Sequence, residues 1–218
     1  MSSFYLKNML RVVEKIPGIN LLQLAHFGHV NVLMFPKVGT RSIRNSLLEY
    51  EGMGDNRIEA WHSMSYVTKG DFLCRYNNLD TIVVLRDPLE RLYSCWKQKI
   101  SGQRDDGFFY FFQYYPLIRP GMDFLSFLKS INKLPTALYE KHFLPLDYYL
   151  GCSDKRNYRF VGLADLDCIL AEILGDNSLV KRANVTKGTN MPLDAVAFFE
   201  EYLKPRYAFD FYMLDNLS

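Results

Sequence analysis

The sequence predicts an α/β domain in which helices cover a central, mainly parallel sheet to form three layers. Three short runs have the apolar and β-branched content of buried strands, at residues 30–35, 81–85 and 158–163. A segment with helical spacing follows each run, and such alternation of strands and helices is typical of parallel sheets. The 218 residues are 49% hydrophobic. This is enough for one sizeable core, so we expect a single domain over residues 1–218.

Ahead of the first strand, residues 4–16 predict an amphipathic helix. Apolar residues there are interrupted by three basic residues and one acidic residue. No uninterrupted apolar stretch follows the early charges, which argues against a signal peptide and a membrane span. The mixed signs of the polar face favour packing against the sheet over a position on a membrane surface.

A basic, glycine-containing loop joins the first strand to a helix predicted from residue 41 to residue 50. It reads Phe-Pro-Lys-Val-Gly-Thr-Arg-Ser over residues 35–42. Gly39 lets backbone N–H groups approach an anion, and the helix N-terminus adds positive potential. Lys37 and Arg41 add charge, and Thr40 and Ser42 add hydroxyl donors. The loop therefore predicts binding of a phosphate-bearing nucleotide.

This loop differs from the phosphate-binding loop of ATP- and GTP-hydrolysing enzymes. That motif, G-x-x-x-x-G-K-[ST], places its lysine directly before the serine or threonine at the start of the helix. Here Lys37 precedes Gly39. The order argues against ordinary nucleotide hydrolysis.

The second strand is followed at once by a stretch that reads R-D-P-L-E-R-L-Y-S from residue 86 to residue 94. Pro88 suits the first position of a helix, and Asp87 can serve as its N-cap. Arg86 then lies at the carboxyl end of the strand, where open α/β sheets bind their ligands. Ser94 lies two turns into the helix.

Together the two stretches resemble the cofactor signatures of sulfotransferases that use 3′-phosphoadenosine 5′-phosphosulfate (PAPS). Each motif alone is short, but both follow a strand and occur in the family's order. The resemblance implies the sulfotransferase variant of the P-loop fold over most of residues 30–214. It assigns the 5′-phosphosulfate to the first signature and the 3′-phosphate to the second. The matching residues of this chain are Lys37, Val38, Gly39, Thr40, Arg41 and Ser42 in the first, and Arg86 and Ser94 in the second.

The resemblance implies transfer of the sulfuryl group of PAPS to an acceptor hydroxyl, with 3′-phosphoadenosine 5′-phosphate (PAP) as the product. Lys37 is expected to stabilise the negative charge that develops on the oxygen bridging phosphorus and sulfur. No metal is needed. Two further segments are similar to the carbohydrate sulfotransferases of the chondroitin, dermatan and heparan uronosyl type, so a carbohydrate is the first choice of acceptor. A lipid, phenolic or peptide hydroxyl stays open.

The first of these segments contains His62, between the two cofactor signatures. By the resemblance, His62 is the expected general base, because such a base must reach the acceptor hydroxyl. Glu59 is the reserve candidate, and a histidine without chemistry is the alternative. The second segment contains His142, followed by Leu146 where the family usually has glutamine. We expect a substrate-binding or structural role for His142, and structural roles for His26 and His29.

Two other segments have open interpretations. An aromatic run at residues 108–115 is either an acceptor groove or an insertion into the core. The basic loop at residues 181–190 lies where sulfotransferases close over the nucleotide, so Thr186 and Lys187 are expected cofactor contacts. A solvated loop is the alternative there.

Composition limits the partners. A net charge of +2 is too small to indicate nucleic-acid binding. The four cysteines form no C-x-x-C pair and no zinc-like spacing with the histidines, so we expect reduced thiols and no metal site. Golgi sulfotransferases carry an N-terminal anchor, and its absence predicts a bacterial, cytoplasmic enzyme without stable membrane insertion. The oligomeric state is left open.

Two other functions compete with the sulfotransferase interpretation. One is a catalytically silent protein that binds 3′-phosphoadenosine nucleotides through Arg86 and Ser94 but lacks a base. The other is a kinase of the P-loop group, which needs Mg²⁺ and a lysine placed directly before the serine or threonine at the helix start. The loop at residues 35–42 has no lysine in that position.

Overall fold

The computed structural model describes residues 21–27, 30–52, 64–68, 80–102, 116–150, 158–180 and 190–217. The chain divides into two compact units. The first, here called the sheet unit, has as its described residues 21–27, 30–52, 64–68, 80–86, 149–150, 158–180 and 213–217. The second, here called the helical unit, has residues 87–102, 116–148 and 190–212. Both units are discontinuous in sequence. The single domain expected over residues 1–218 stays a prediction, and the N-terminal helix expected at residues 4–16 lies outside the described residues.

The described part of the chain contains a sheet of five strands. They are β1 (Leu21–Phe27), β2 (Val30–Met34), β3 (Met64–Thr68), β4 (Asp80–Leu85) and β5 (Tyr158–Gly162), arranged in the order β3-β1-β2-β4-β5. Strands β2, β4 and β5 pair in parallel, while β1 pairs antiparallel with both β2 and β3. Four of the five strands therefore run in the same direction, and the predicted α/β class with a mainly parallel sheet is confirmed.

The sequence analysis identified β2, β4 and β5 but not β1 and β3. Strand β1 ends at Phe27 and β2 begins at Val30, so only Gly28 and His29 connect this antiparallel pair. Two apolar runs joined by a two-residue connection that contains glycine are a hairpin signal. That signal was present in the sequence and predicts β1.

Seven α-helices are described. They are α1 (Thr40–Tyr50), α2 (Pro88–Lys99), α3 (Phe124–Asn132), α4 (Leu146–Leu150), α5 (Leu166–Leu174), α6 (Leu193–Phe198) and α7 (Ala208–Asp215). A π-helical turn (Phe199–Leu203) and a 3₁₀ turn (Lys204–Tyr207) connect α6 to α7. In the described part of the chain, no helix combines the length and the apolar character that a membrane crossing requires.

Helix ends follow the local signals closely. The Asp87 carboxylate accepts a hydrogen bond from the backbone N–H of Glu90 at 3.0 Å, and Pro88 occupies the first position of α2, as predicted. Gly175 ends α5 in the left-handed conformation, which glycine adopts without strain. Asp165 occupies the N-cap position of α5, but its side chain makes no capping hydrogen bond.

The core of the sheet unit surrounds β2, whose five residues are all buried. Leu33 of β2, Val83 of β4 and Leu47 of α1 are fully buried. Phe35, directly after β2, packs edge-on against Tyr149 with ring centroids 4.7 Å apart. Burial on both faces explains why β2 and β4 are mostly apolar and do not alternate between apolar and polar residues.

The helical unit contains a buried ionic network around Arg91 of α2. Arg91 donates to the Leu144 carbonyl at 2.9 Å and lies 3.3 Å from the Asp210 carboxylate of α7. The other oxygen of Asp210 accepts from the backbone N–H of Leu146 at 2.8 Å. Arg91 and Asp210 are only 2% and 4% exposed. Arg91 belongs to the stretch R-D-P-L-E-R-L-Y-S, and in the structure it links α2 to Leu144 and to α7.

Candidate anion-binding site

The sheet brings the two predicted cofactor motifs to one edge. Strands β2 and β4 are neighbours and run parallel, with Val30 opposite Asp80 and Leu33 opposite Val83. Their carboxyl ends therefore lie side by side. The glycine loop (residues 35–39) follows β2, and Arg86 follows β4, so the loop and Arg86 begin from adjacent strand ends.

A direct hydrogen bond joins the two motifs. Nη1 of Arg86 donates to the backbone carbonyl of Lys37 at 3.1 Å, and both side chains are half-buried. The sequence predicted that both residues contact the cofactor, but it contained no signal for a bond between them. The bond places a guanidinium directly beside the loop.

Lys37 has an unusual backbone conformation. Its φ is +74°, and it is the only residue other than glycine with a positive φ among the described residues. For a side chain with a Cβ atom, this left-handed region costs roughly 1–2 kcal/mol. Non-glycine residues keep such a conformation when the surrounding structure holds them there, and they concentrate at functional sites.

Gly39 has two structural reasons to be glycine. Its φ is +80°, and a Cβ atom built on it would lie 2.4 Å from Cδ2 of Leu166 and 3.2 Å from Cδ1 of Leu163. Those leucines belong to the segment that follows β5, so the loop packs directly against it. The sequence analysis assigned Gly39 to close approach of an anion, and the structure adds this packing requirement.

The loop leads into the N-terminus of α1. No side chain caps this helix and no acidic residue lies in its first turn, so the positive end of the helix dipole is not neutralised locally. Thr40 is half-buried and Arg41 is exposed, whereas Val38 and Ser42 are buried. Arg41, Lys37 and Arg86 place three basic side chains at this edge of the sheet unit, and basic side chains favour an anionic ligand.

The remaining predicted site residues are distributed differently. Ser94 is half-buried on α2, within the range of the helical unit. His62, Glu59, Thr186 and Lys187 lie outside the described residues, as does the aromatic run at 108–115.

His142 is part of a buried pair in the helical unit. Its Nδ1 lies 2.6 Å from Oε2 of Glu140, and its backbone N–H donates to the same oxygen at 2.7 Å. Burial by itself raises the pKa of the Glu140 carboxyl, but the charge and hydrogen bonds of His142 lower it, and the net pKa lies below its ordinary value. The sequence analysis overlooked Glu140, although its position two residues before His142 was visible.

The other described histidine, His26, lies within the sheet. Its Nδ1 is 2.6 Å from Oδ1 of Asn31, the residue directly opposite in the β1–β2 register. Asn31 is fully buried. This contact agrees with the expected structural role of His26.

No cluster of three or more histidine, cysteine, aspartate or glutamate side chains suited to a metal ion occurs in the described ranges. No protein-family model matches the chain, and no curated protein or solved structure matches it significantly. The functional interpretation therefore depends on the motifs and on the geometry of the residues themselves.

Proposed function

We propose that this chain is a PAPS-dependent sulfotransferase. The observation that supports it best is the Arg86–Lys37 hydrogen bond at the ends of two adjacent parallel strands. Two motifs that each resemble half of a PAPS site are 49 residues apart in sequence and are in direct contact in space. A chance resemblance of two unrelated short motifs would not require such a contact.

In the proposed reaction, the acceptor oxygen attacks sulfur in line with the bond to the bridging oxygen. The new S–O bond forms as the old one breaks, PAP leaves with the bond's electron pair, and a base takes the hydroxyl proton. Lys37 stabilises the negative charge on the bridging oxygen. Residues 38–42 and the α1 N-terminus hold the 5′-phosphate end.

Recognition of the 3′-phosphate is assigned to Arg86 with Ser94. A guanidinium carries five N–H donors in a planar fork, so the bond to Lys37 is compatible with phosphate binding by the same side chain. Thr186 and Lys187 complete the nucleotide contacts in this proposal. His62 is the general base, with Glu59 in reserve, and the acceptor is a carbohydrate hydroxyl. Most of residues 30–214 then adopt the three-layered, P-loop-like sulfotransferase fold.

A ligand panel tests the nucleotide assignment. Thermal unfolding is measured with PAP, ADP, ATP plus Mg²⁺, and coenzyme A. A ligand at about a hundred times its Kd stabilises the folded state by about 2.7 kcal/mol. We expect PAP to stabilise far more than ADP, because ADP lacks the 3′-phosphate. Stabilisation by ATP with Mg²⁺ but not by PAP would favour the kinase alternative.

Two variants test whether Arg86 is responsible for the preference for PAP. Arg86→Ala should abolish the preference for PAP over ADP. Arg159→Ala is the matched control, because Arg159 lies on β5 of the same sheet but its exposed guanidinium pairs with Glu172 at 2.8 Å. This control should retain the full preference. Equal loss in both variants would contradict a specific role for Arg86.

A transfer assay separates the enzyme from a silent binder. Labelled sulfate from PAPS is offered to a library of glycans and small alcohols. Transfer to a glycan supports the proposed function and identifies the acceptor. PAP binding without transfer to any acceptor would favour a nucleotide-binding protein.

A further inference from the structure

We propose that Arg86 is also a positioning residue for Lys37. This inference rests on the sulfotransferase function proposed above. The bond from Arg86 to the Lys37 carbonyl holds the lysine backbone in its left-handed conformation. The same guanidinium that binds the 3′-phosphate thereby sets the position from which Lys37 acts on the bridging oxygen.

The first support is the conformation itself. At φ +74°, Lys37 lies in a region that its Cβ atom disfavours, so the free chain would populate negative φ values instead. A change of φ at this residue rotates the Cα–Cβ bond relative to the preceding peptide. The position of the Lys37 ammonium group therefore depends on the contacts that keep the φ of this residue positive.

The second support is the anchoring of the loop on both sides of Lys37. Phe35 is buried against Tyr149, Val38 is 2% exposed, and Gly39 packs against Leu166. These contacts hold the two ends of the loop. The carbonyl of Lys37 is the point between them that Arg86 ties to the end of β4.

The third support is the anchoring of Arg86, which donates the hydrogen bond to the Lys37 carbonyl. Arg86 directly follows Leu85, the last residue of β4, and all residues of β4 except Asp80 are buried. The backbone of Arg86 is thus anchored to a core strand. The hydrogen bond from Arg86 to the Lys37 carbonyl stabilises the left-handed conformation of Lys37 by about the net free energy of one charge-assisted hydrogen bond.

This arrangement couples cofactor recognition to catalysis. A 3′-phosphate that orders the Arg86 guanidinium also orders its bond to Lys37. A donor without the 3′-phosphate lacks this additional ordering, although the bond itself remains, so it should react more slowly as well as bind more weakly. Part of the discrimination between the two donors should therefore be found in kcat.

Hydrogen exchange of the unliganded protein tests whether the Arg86–Lys37 bond holds the loop, and it requires no measurement of enzyme activity. In Arg86→Ala, the backbone amides of Val38 and Gly39 should exchange at least several-fold faster than in the wild type. In Arg86→Lys, which retains a hydrogen-bond donor, the exchange rates should lie between those of the wild type and those of Arg86→Ala. Arg159→Ala should match the wild type. Unchanged exchange in a folded Arg86→Ala variant would overturn the proposal.

Turnover of adenosine 5′-phosphosulfate tests the consequence for catalysis. This donor lacks the 3′-phosphate, so a residue that only binds that phosphate cannot affect its turnover. We expect Arg86→Ala to lower kcat for this donor about tenfold with KM nearly unchanged, and Arg86→Lys to recover part of the loss. An unchanged kcat would overturn the positioning role.

The two tests also separate this inference from the proposed function. If the wild type neither binds PAP nor transfers sulfate but the loop exchanges faster in Arg86→Ala, the proposed function fails. Arg86 then still holds the loop in place, but it has no role in sulfate transfer. If PAP binds and sulfate is transferred while both Arg86 tests are negative, the function stands and the positioning role is wrong.

Discussion

Gly39 shows how much of this site depends on single residues. Alanine at this position would face both a positive φ and the Leu166 side chain at 2.4 Å. Gly175 also has a positive φ, +68°, but nothing lies within 4 Å of its added Cβ atom. Gly175→Ala is therefore a matched control for the backbone cost alone.

We expect Gly175→Ala to lower the free energy of unfolding by about 1 kcal/mol. Gly39→Ala should lose roughly 2–4 kcal/mol, because overpacking against a buried leucine adds to the backbone cost. Urea unfolding of both variants measures the difference. Similar losses in the two would show that the Leu166 side chain moves away easily.

Helix α3 provides a prediction at the scale of an element. The Asp123 carboxylate accepts from the backbone N–H of Ser126 at 2.8 Å and from its hydroxyl at 2.7 Å. These bonds, the backbone bond first, lower the pKa of Asp123 below its ordinary value of 3.8. An acid with a lowered pKa adds stability above its ordinary pKa, and that stability is lost as the pH falls through the folded pKa.

Asp123→Asn should retain the cap but remove its charge. Near pH 7 the wild type should be the more stable of the two in urea unfolding, and the difference should shrink as the pH falls below about 4. Asp123→Ala removes the cap at every pH and should cost about 1 kcal/mol near pH 7. A wild type–asparagine difference that does not change with pH would show that the charge contributes nothing.

Contacts between distant segments operate at the scale of the whole molecule, and the Arg91–Asp210 pair is the clearest described example. Burial raises the pKa of Asp210, although Arg91 opposes this. Arg91→Leu leaves the Asp210 carboxylate buried without its cation, so we expect a loss of about 3 kcal/mol or more near pH 7. Asp210→Asn, which retains an acceptor for Leu146, should cost less.

The pH dependence of Arg91→Leu checks this explanation. An acid whose folded pKa is raised destabilises the fold when it ionises, so the loss should be smaller at acidic pH, where Asp210 is protonated. Urea unfolding of the variant and the wild type from about pH 4 to pH 7 measures this. A loss that is equal at all pH values would point to lost packing alone.

The choice between enzyme and binder also concerns the whole molecule, and a variant of the proposed base His62 tests it. An alcohol is too weak an acid to ionise unaided, so removing the base should lower kcat about 10²–10⁴-fold. His62→Ala should therefore lose activity while PAP affinity stays nearly unchanged, and the acidic limb of the kcat–pH profile should disappear. Retained activity in His62→Ala with loss in Glu59→Ala would assign the base to Glu59.

Local order in this chain follows from local sequence. The helices after β2 and β4 and the Asp87 cap were predicted, because each depends on residues within one or two turns. The proximity of the two cofactor motifs could also be anticipated, since carboxyl ends of parallel strands meet at one edge. Strand β1 was missed only because its hairpin signal was not used.

Other features depend on residues that are far apart in the chain. The Arg86–Lys37 bond spans 49 positions and the Arg91–Asp210 pair spans 119. The contact of Gly39 with Leu163 and Leu166 likewise joins segments that are far apart in the chain. No periodicity or cap specifies these contacts. They form because burial of the apolar surface in each unit selects one arrangement of its strands and helices, and that arrangement determines which polar groups must find partners inside.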